Sequence, residues 1–158
     1  MVLAHARALL SSSEQGATAY FDADLRDTGK ILEAAKHTLD FTQPVAVMLI
    51  AVLHLIGDAD DPAGIIAQLM EAVPAGSALA ISHVPSDMHM GAMSDMSGRL
   101  NRLLSQPSPY RSRAQVTGFF AGRELVNPGV VPIQQWRPDT DEEAAAVAAM
   151  CGGVAVKR

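Results

Sequence analysis

The sequence has one cysteine, no surplus of positive charge and no apolar run long enough to span a membrane. A lone Cys151 excludes an intrachain disulfide and any zinc site built on cysteine, and it fits a reducing compartment. As a small apolar residue near the C-terminus it reads as a buried core group rather than a nucleophile. The 12 Lys and Arg stand against 17 Asp and Glu, for a net charge of −5. They are scattered, so there is no basic footprint for a phosphate backbone, and nucleic acid is not an expected partner. The longest apolar run, Val45–Leu53, falls well short of the roughly 20 residues of a membrane span. The N-terminus is apolar too, but His5 and Arg7 interrupt it, while Val2, Leu3, Ala6, Leu9 and Leu10 share one helical face. The expectation is a cytoplasmic protein without a membrane partner, opening on an amphipathic helix. Repeats and low-complexity linkers are also missing, and 158 residues suffice for one core rather than two. A single domain, 1–158, is expected.

What the sequence does have is an alternation of strand and helix signals. Residues 17–23 include the β-favouring Thr18, Tyr20 and Phe21 and end in Asp22 and Asp24, which predicts a short strand. Residues 28–39 put Ile31, Leu32, Ala35 and Leu39 on one helical face, and Pro44 closes the connection. Val45–Leu53 has no polar alternation, as expected of a parallel strand covered on both faces. A second helix starts at Asp60-Asp61-Pro62 with a carboxylate cap and a first-turn proline, and Ser77–Val84 is the next strand. Repetition of this unit predicts an α/β fold with a doubly wound, mostly parallel sheet. Residues 85–110 are less regular, with Met88, Met90, Met93 and Met96 and one helix expected near 93–104. Ser112–Gln115 is a capping box ahead of a short helix. Extended pieces are expected at 124–126 and 130–133, a helix at 141–150, and a last strand, Val154–Val156, preceded by Gly152 and Gly153.

Ligands of open α/β sheets bind at the carboxyl ends of the strands, which singles out Ala51, Val52, Leu53 and His54. Asp22 and Asp24 either accept hydrogen bonds from a ribose or an adenine amino group or simply cap the following helix. His54 and His83 end two neighbouring strands. Together they suggest a general base or a metal, although spacing supplies no third ligand. The methionine cluster lines an apolar cavity or packs a helix core. Arg111, Ser112 and Arg113 either bind an anion or form a solvated cap.

Several blocks taken together carry a family resemblance: Asp22–Asp27 (DADLRD), Pro44–His54 (PVAVMLIAVLH), Asp60–Gly64 (DDPAG), Pro74–Ser77 (PAGS), Ser82-His83, Pro128–Pro132 (PGVVP) and Gly152–Val154 (GGV). They resemble the bacterial S-adenosylmethionine-dependent methyltransferases once grouped as a domain of unknown function, over nearly the whole chain. The resemblance implies a Rossmann-like methyltransferase fold with sheet order 3-2-1-4-5-7-6 and an antiparallel last strand. Residues 17–23, 45–53 and 77–84 would be strands 3, 4 and 5. It implies S-adenosylmethionine as cofactor and a small-molecule methyl acceptor. Asp24 and Leu25 match the acidic-plus-apolar position beside adenine, and Ala51, Val52 and Leu53 match the segment beside the methionine moiety. His54 matches the place of a general base or acceptor-orienting group.

The family's glycine-rich loop after strand 1 and the acid after strand 2 have no counterpart, and no G-x-G occurs in the chain. Residues 1–10 resemble the helix after strand 2, so the chain is expected to start at an internal methionine, lacking the first two strands. On that expectation its own activity is impaired or absent. Three ladder steps leave a gap of about 14 Å beside strand 4. Its edge would then pair with strand 3, bind a second copy in a homo-oligomer, or make the protein poorly soluble. An alternative reading is a non-catalytic methyltransferase-like subunit or regulator acting through protein contacts. A nicotinamide-dependent enzyme is a weaker third, since it too would need a phosphate loop.

Overall fold

The computed structural model describes residues 16–87, 111–146 and 149–158. The expected helices at 1–10 and 93–104, and the four-methionine cluster, lie outside these residues. Helix α1 is Thr28–Ala35, with the Asp27 carboxylate accepting from Lys30 N at 3.0 Å as its N-cap. It is shorter than the 28–39 expected, because the backbone passes into successive turns over 36–39 before reaching Pro44. Strand β1 is Ala46–Ile50, helix α2 is Pro62–Glu71 and strand β2 is Ala78–His83. Helix α3 (Arg113–Gly118), strands β3 (Glu124–Leu125) and β4 (Val131–Pro132), helix α4 (Asp141–Ala145) and strand β5 (Cys151–Val156) follow.

The start of α2 follows directly from its sequence. Asp61 accepts from Gly64 N at 3.0 Å, and Pro62 occupies the first turn, where a missing N–H costs nothing. A Cβ at Gly64 would displace the Asp61 carboxylate from its capping position. The Ser112 capping box of α3 is also present as the sequence predicts.

The sheet order is β1-β2-β5-β3, with β4 also on β5. β1 and β2 are parallel, whereas β5, last in the chain, inserts antiparallel between β2 and the pair β3 and β4. This is an α/β fold with a mixed sheet, and it agrees with the 4-5-7-6 end of the expected order. The core lies where α2 meets the sheet: Ile65, Ile66, Leu69 and Met70 pack with Leu49, Leu79, Ile81, Val116, Phe120 and Ala155.

Three expectations need correction. Residues 17–23 form no strand: only Gly16 makes an isolated bridge, and the stretch that follows is mostly exposed. It therefore does not pair with β1, whose only ladder among the described residues is with β2. β1 itself is not covered on both faces, since Met48 is 64% and Ile50 52% exposed. Met48 and Ile50 alternate with the partly buried Val47 and the buried Leu49, so one face of the strand packs on the core and the other does not. Finally, Gly152 and Gly153 lie inside β5 rather than before it. A Cβ on Gly153 would stand 3.0 Å from Val130 and 3.3 Å from the Gly129 carbonyl, so the loop before β4 lies closer than a side chain there would comfortably allow.

Candidate functional site

At its carboxyl end β1 leaves the sheet abruptly. Ala51 adopts φ 52°, a left-handed conformation that costs a non-glycine residue about 1–2 kcal/mol. Ser82 at the end of β2 offsets this by taking the Ala51 N–H, with its hydroxyl oxygen at 3.0 Å and its carbonyl at 3.3 Å. The chain then makes two single turns, Leu53–Leu55 and Asp58–Asp60, before Asp61 caps α2. Ala51 is exposed, Val52 and His54 are half-buried and Leu53 is fully buried. Of the expected contact positions, Leu53 is therefore enclosed, with neither side chain nor backbone at the surface.

His54 and His83 come together as their strand positions predict. Their ring centroids are 5.9 Å apart and the rings are nearly perpendicular. His83 is fully buried, and its Nδ1 lies 2.8 Å from the Val84 carbonyl. A carbonyl only accepts, so Nδ1 carries the hydrogen and Nε2 is left as a bare lone pair. That Nε2 and the Nδ1 of His54 are buried without a hydrogen-bond partner. Burial holds both imidazoles below the ordinary 6.5, and the nearby Arg111 charge pushes His83 the same way. Both rings are neutral at pH 7. No metal-sized cluster of three His, Cys, Asp or Glu exists among the described residues. Cys151, paired across from His83 in the ladder, is buried, and burial raises its thiol pKa, as expected of a core group.

Asp24 lies at the other side of the turn. Its carboxylate accepts from Arg26 N and Nε at 2.9 Å and from Nη2 at 2.7 Å, and this pairing holds its pKa at about 2. Arg26 also reaches Asp60 at 3.6 Å, which brings the Asp24-Leu25 segment beside the turn that follows β1. Helix capping falls to Asp27, so Asp24 is left as a charged acceptor at the surface, with Leu25 half-buried next to it.

The residue whose role the sequence reading missed is Arg111, which is neither a solvated cap nor an anion site. It is only 4% exposed and donates to the Leu53 carbonyl at 2.8 Å, the Ile56 carbonyl at 2.8 Å and the Asp58 carboxylate at 2.6 Å, with Phe119 against its guanidinium. No sequence signal marks carbonyl partners. The adjacent Ser112 caps α3, and Arg113 N donates to Asp87 at 2.9 Å.

A family model described as S-adenosyl methyltransferase matches residues 1–158. The chain belongs to this family. Among solved structures, a DUF574 family protein from Streptomyces avermitilis MA-4680 is 38% identical, with a TM-score of 0.87 over 99% of this chain and 62% of that one. A candidate methyltransferase from Thermobifida fusca YX is 28% identical, with a TM-score of 0.84 over 99% of this chain and 59% of that one. The chain thus spans about three-fifths of these two relatives. Human N-acetylserotonin methyltransferase, solved with S-adenosylmethionine, is 13% identical with a TM-score of 0.56 over 99% of this chain and 38% of that one, a likeness of fold alone. No curated protein matches the chain. S-adenosylmethionine is the cofactor of the S-adenosyl methyltransferase family, and its Rossmann-like fold agrees with the mixed sheet described above.

Proposed function

We propose that the chain forms one side of an S-adenosylmethionine-dependent methyltransferase site at the carboxyl ends of β1 and β2, acting on a small-molecule acceptor. The observation that carries this reading is the strained, exposed Ala51 turn together with a pair of neutral histidines behind it and a charged acceptor, Asp24, beside it. Strain held in place by surrounding bonds is characteristic of binding and reaction sites. When bound, S-adenosylmethionine supplies an electrophilic methyl group.

The residues fit that cofactor chemically. Asp24 is ionised at any pH above about 2, and its carboxylate has lone pairs left over from Arg26 to accept adenine or ribose donors. Leu25 would flank the adenine ring, and the exposed Ala51 and half-buried Val52, with Leu53 packed behind them, would line the methionine portion. His54 would take the proton of the acceptor, since its neutral ring has a free lone pair at pH 7. Protonation removes that lone pair, so turnover is expected to fall on the acid side. Most of the rate would come from positioning. Without a G-x-G loop in the sequence, affinity for the cofactor is expected to be weak and activity impaired.

Calorimetric titration with S-adenosylmethionine and its demethylated product tests the binding half of this proposal. Asp24→Ala should weaken the interaction roughly tenfold, the usual cost of a charged hydrogen bond. An acceptor screen read by release of S-adenosylhomocysteine tests the chemical half, where His54→Ala should abolish the base-dependent turnover.

The edge of β1 that has no ladder among the described residues favours a second reading. Ala46–Ile50 contains no charge and no proline, the usual guards of an exposed edge, and Met48 and Ile50 project from it. Pairing with a second copy would cover this edge and make the protein a homo-oligomer, or a methyltransferase-like subunit acting through protein contacts. Sedimentation velocity would decide: a concentration-independent monomer removes this reading.

A further inference from the structure

Arg111 is distant in sequence from every residue placed in the site, yet it is bonded to the turn that carries them. Its Nη1 holds the Leu53 carbonyl, its Nη2 holds both the Ile56 carbonyl and Asp58, and its Nε adds a second contact to Asp58 at 3.2 Å. These acceptors bracket His54 on both sides. The two partners in the ion pair differ sharply: the guanidinium is almost wholly buried, whereas the Asp58 side chain is 78% exposed. An exposed pair contributes little, but a buried guanidinium bonded to two carbonyls must be satisfied or the turn has to rearrange.

We infer that Arg111 is the positioning residue of this site: its planar fork fixes the Leu53–Ile56 carbonyls and thereby sets where His54 and the Ala51–Leu53 backbone stand. Lysine could supply the charge at this position but not the fork, because an ammonium lacks the planar paired donors. The Phe119 ring lies beside Arg111, its centroid 5.2 Å from the guanidinium carbon. The inference rests on the proposed methyltransferase site, and its test separates the two.

The experiment compares the natural chain with Arg111→Met, Arg111→Lys and Asp58→Asn. Each is measured by NMR of ring-labelled histidine without ligand and by calorimetry with S-adenosylhomocysteine. In Arg111→Met the His54 and His83 ring signals should move together, and affinity should fall roughly tenfold or more. Arg111→Lys should keep the charge effect on His83 but not recover the His54 signal or the affinity. Asp58→Asn, a surface change that leaves both carbonyl bonds, should shift the His54 signal slightly and weaken binding roughly twofold to threefold. If Arg111→Met does not fold, Asp58→Asn decides alone. Histidine signals and affinity both unchanged in a folded variant would overturn the inference while leaving the methyltransferase reading intact. Shifted histidines in a chain that binds no S-adenosylhomocysteine would leave the positioning role and remove the cofactor reading.

Discussion

β1 and β5 are short apolar strands of one sheet, and they meet opposite fates. β5 is paired on both edges, with Cys151, Gly152, Gly153 and Ala155 all buried. β1 is paired on one edge among the described residues and exposes Met48 and Ile50. Apolar content alone therefore does not decide burial: what packs on each face of the strand does. β5 contributes no residue to the proposed site, the equally buried β2 contributes Ser82 and His83, and the poorly covered β1 delivers the turn that carries it.

The comparison predicts unequal costs of substitution. The largest effect is expected in the strand between the two: Leu79→Ala in β2, fully buried, should cost about 2–5 kcal/mol in chemical denaturation through lost contacts and the cavity left behind. Gly153→Val in β5 should cost about 1–3 kcal/mol, because its Cβ is already too close to Val130 and the Gly129 carbonyl. If Gly153→Val were neutral, the loop before β4 would be more yielding than its contacts imply. At the far end of the scale, Met48→Lys in β1 should change stability by less than about 0.5 kcal/mol. The same change should lower any concentration-dependent sedimentation by placing a charge on the edge of β1.

Between these lies a pH effect at the ends of β1 and β2. His83 and His54 have folded pKa values below the ordinary 6.5, so the unfolded chain binds more protons as pH falls. Stability should be full above that value and decline as the pH drops below it. In His83→Gln the acid limb should flatten, with the midpoint of urea denaturation between pH 7 and pH 5 as the readout. An unchanged acid limb would mean that His83 can be protonated without loss.

The sequence made much of this legible, for identifiable physical reasons. Caps act through neighbouring residues, so Asp61-Pro62 before α2 and Ser112–Gln115 before α3 could be read directly. β1 and β2 were evident from their apolar runs, and the meeting of His54 and His83 from their places at strand ends. Residues 17–23 have strand-favouring side chains but no described partner ladder, and propensity without pairing does not make a strand. Gly152 and Gly153 looked like a break because glycine lowers strand propensity, whereas here it lets the loop before β4 lie close. Arg111 was hidden because two of its three acceptor groups are backbone carbonyls, which look alike in every sequence.

The central claim is that the cofactor face of this chain is the end of β1 and β2. A groove of about 410 Å³ lies at the opposite end of the sheet, bordered by Met70, Arg123 and Lys157. Titrating the isotope-labelled chain with S-adenosylhomocysteine and following backbone amide shifts distinguishes the two directly. The account predicts saturable changes centred on Asp24-Leu25 and Ala51–His54. Changes confined to the groove around Met70 and Arg123, or none up to millimolar ligand, would contradict it.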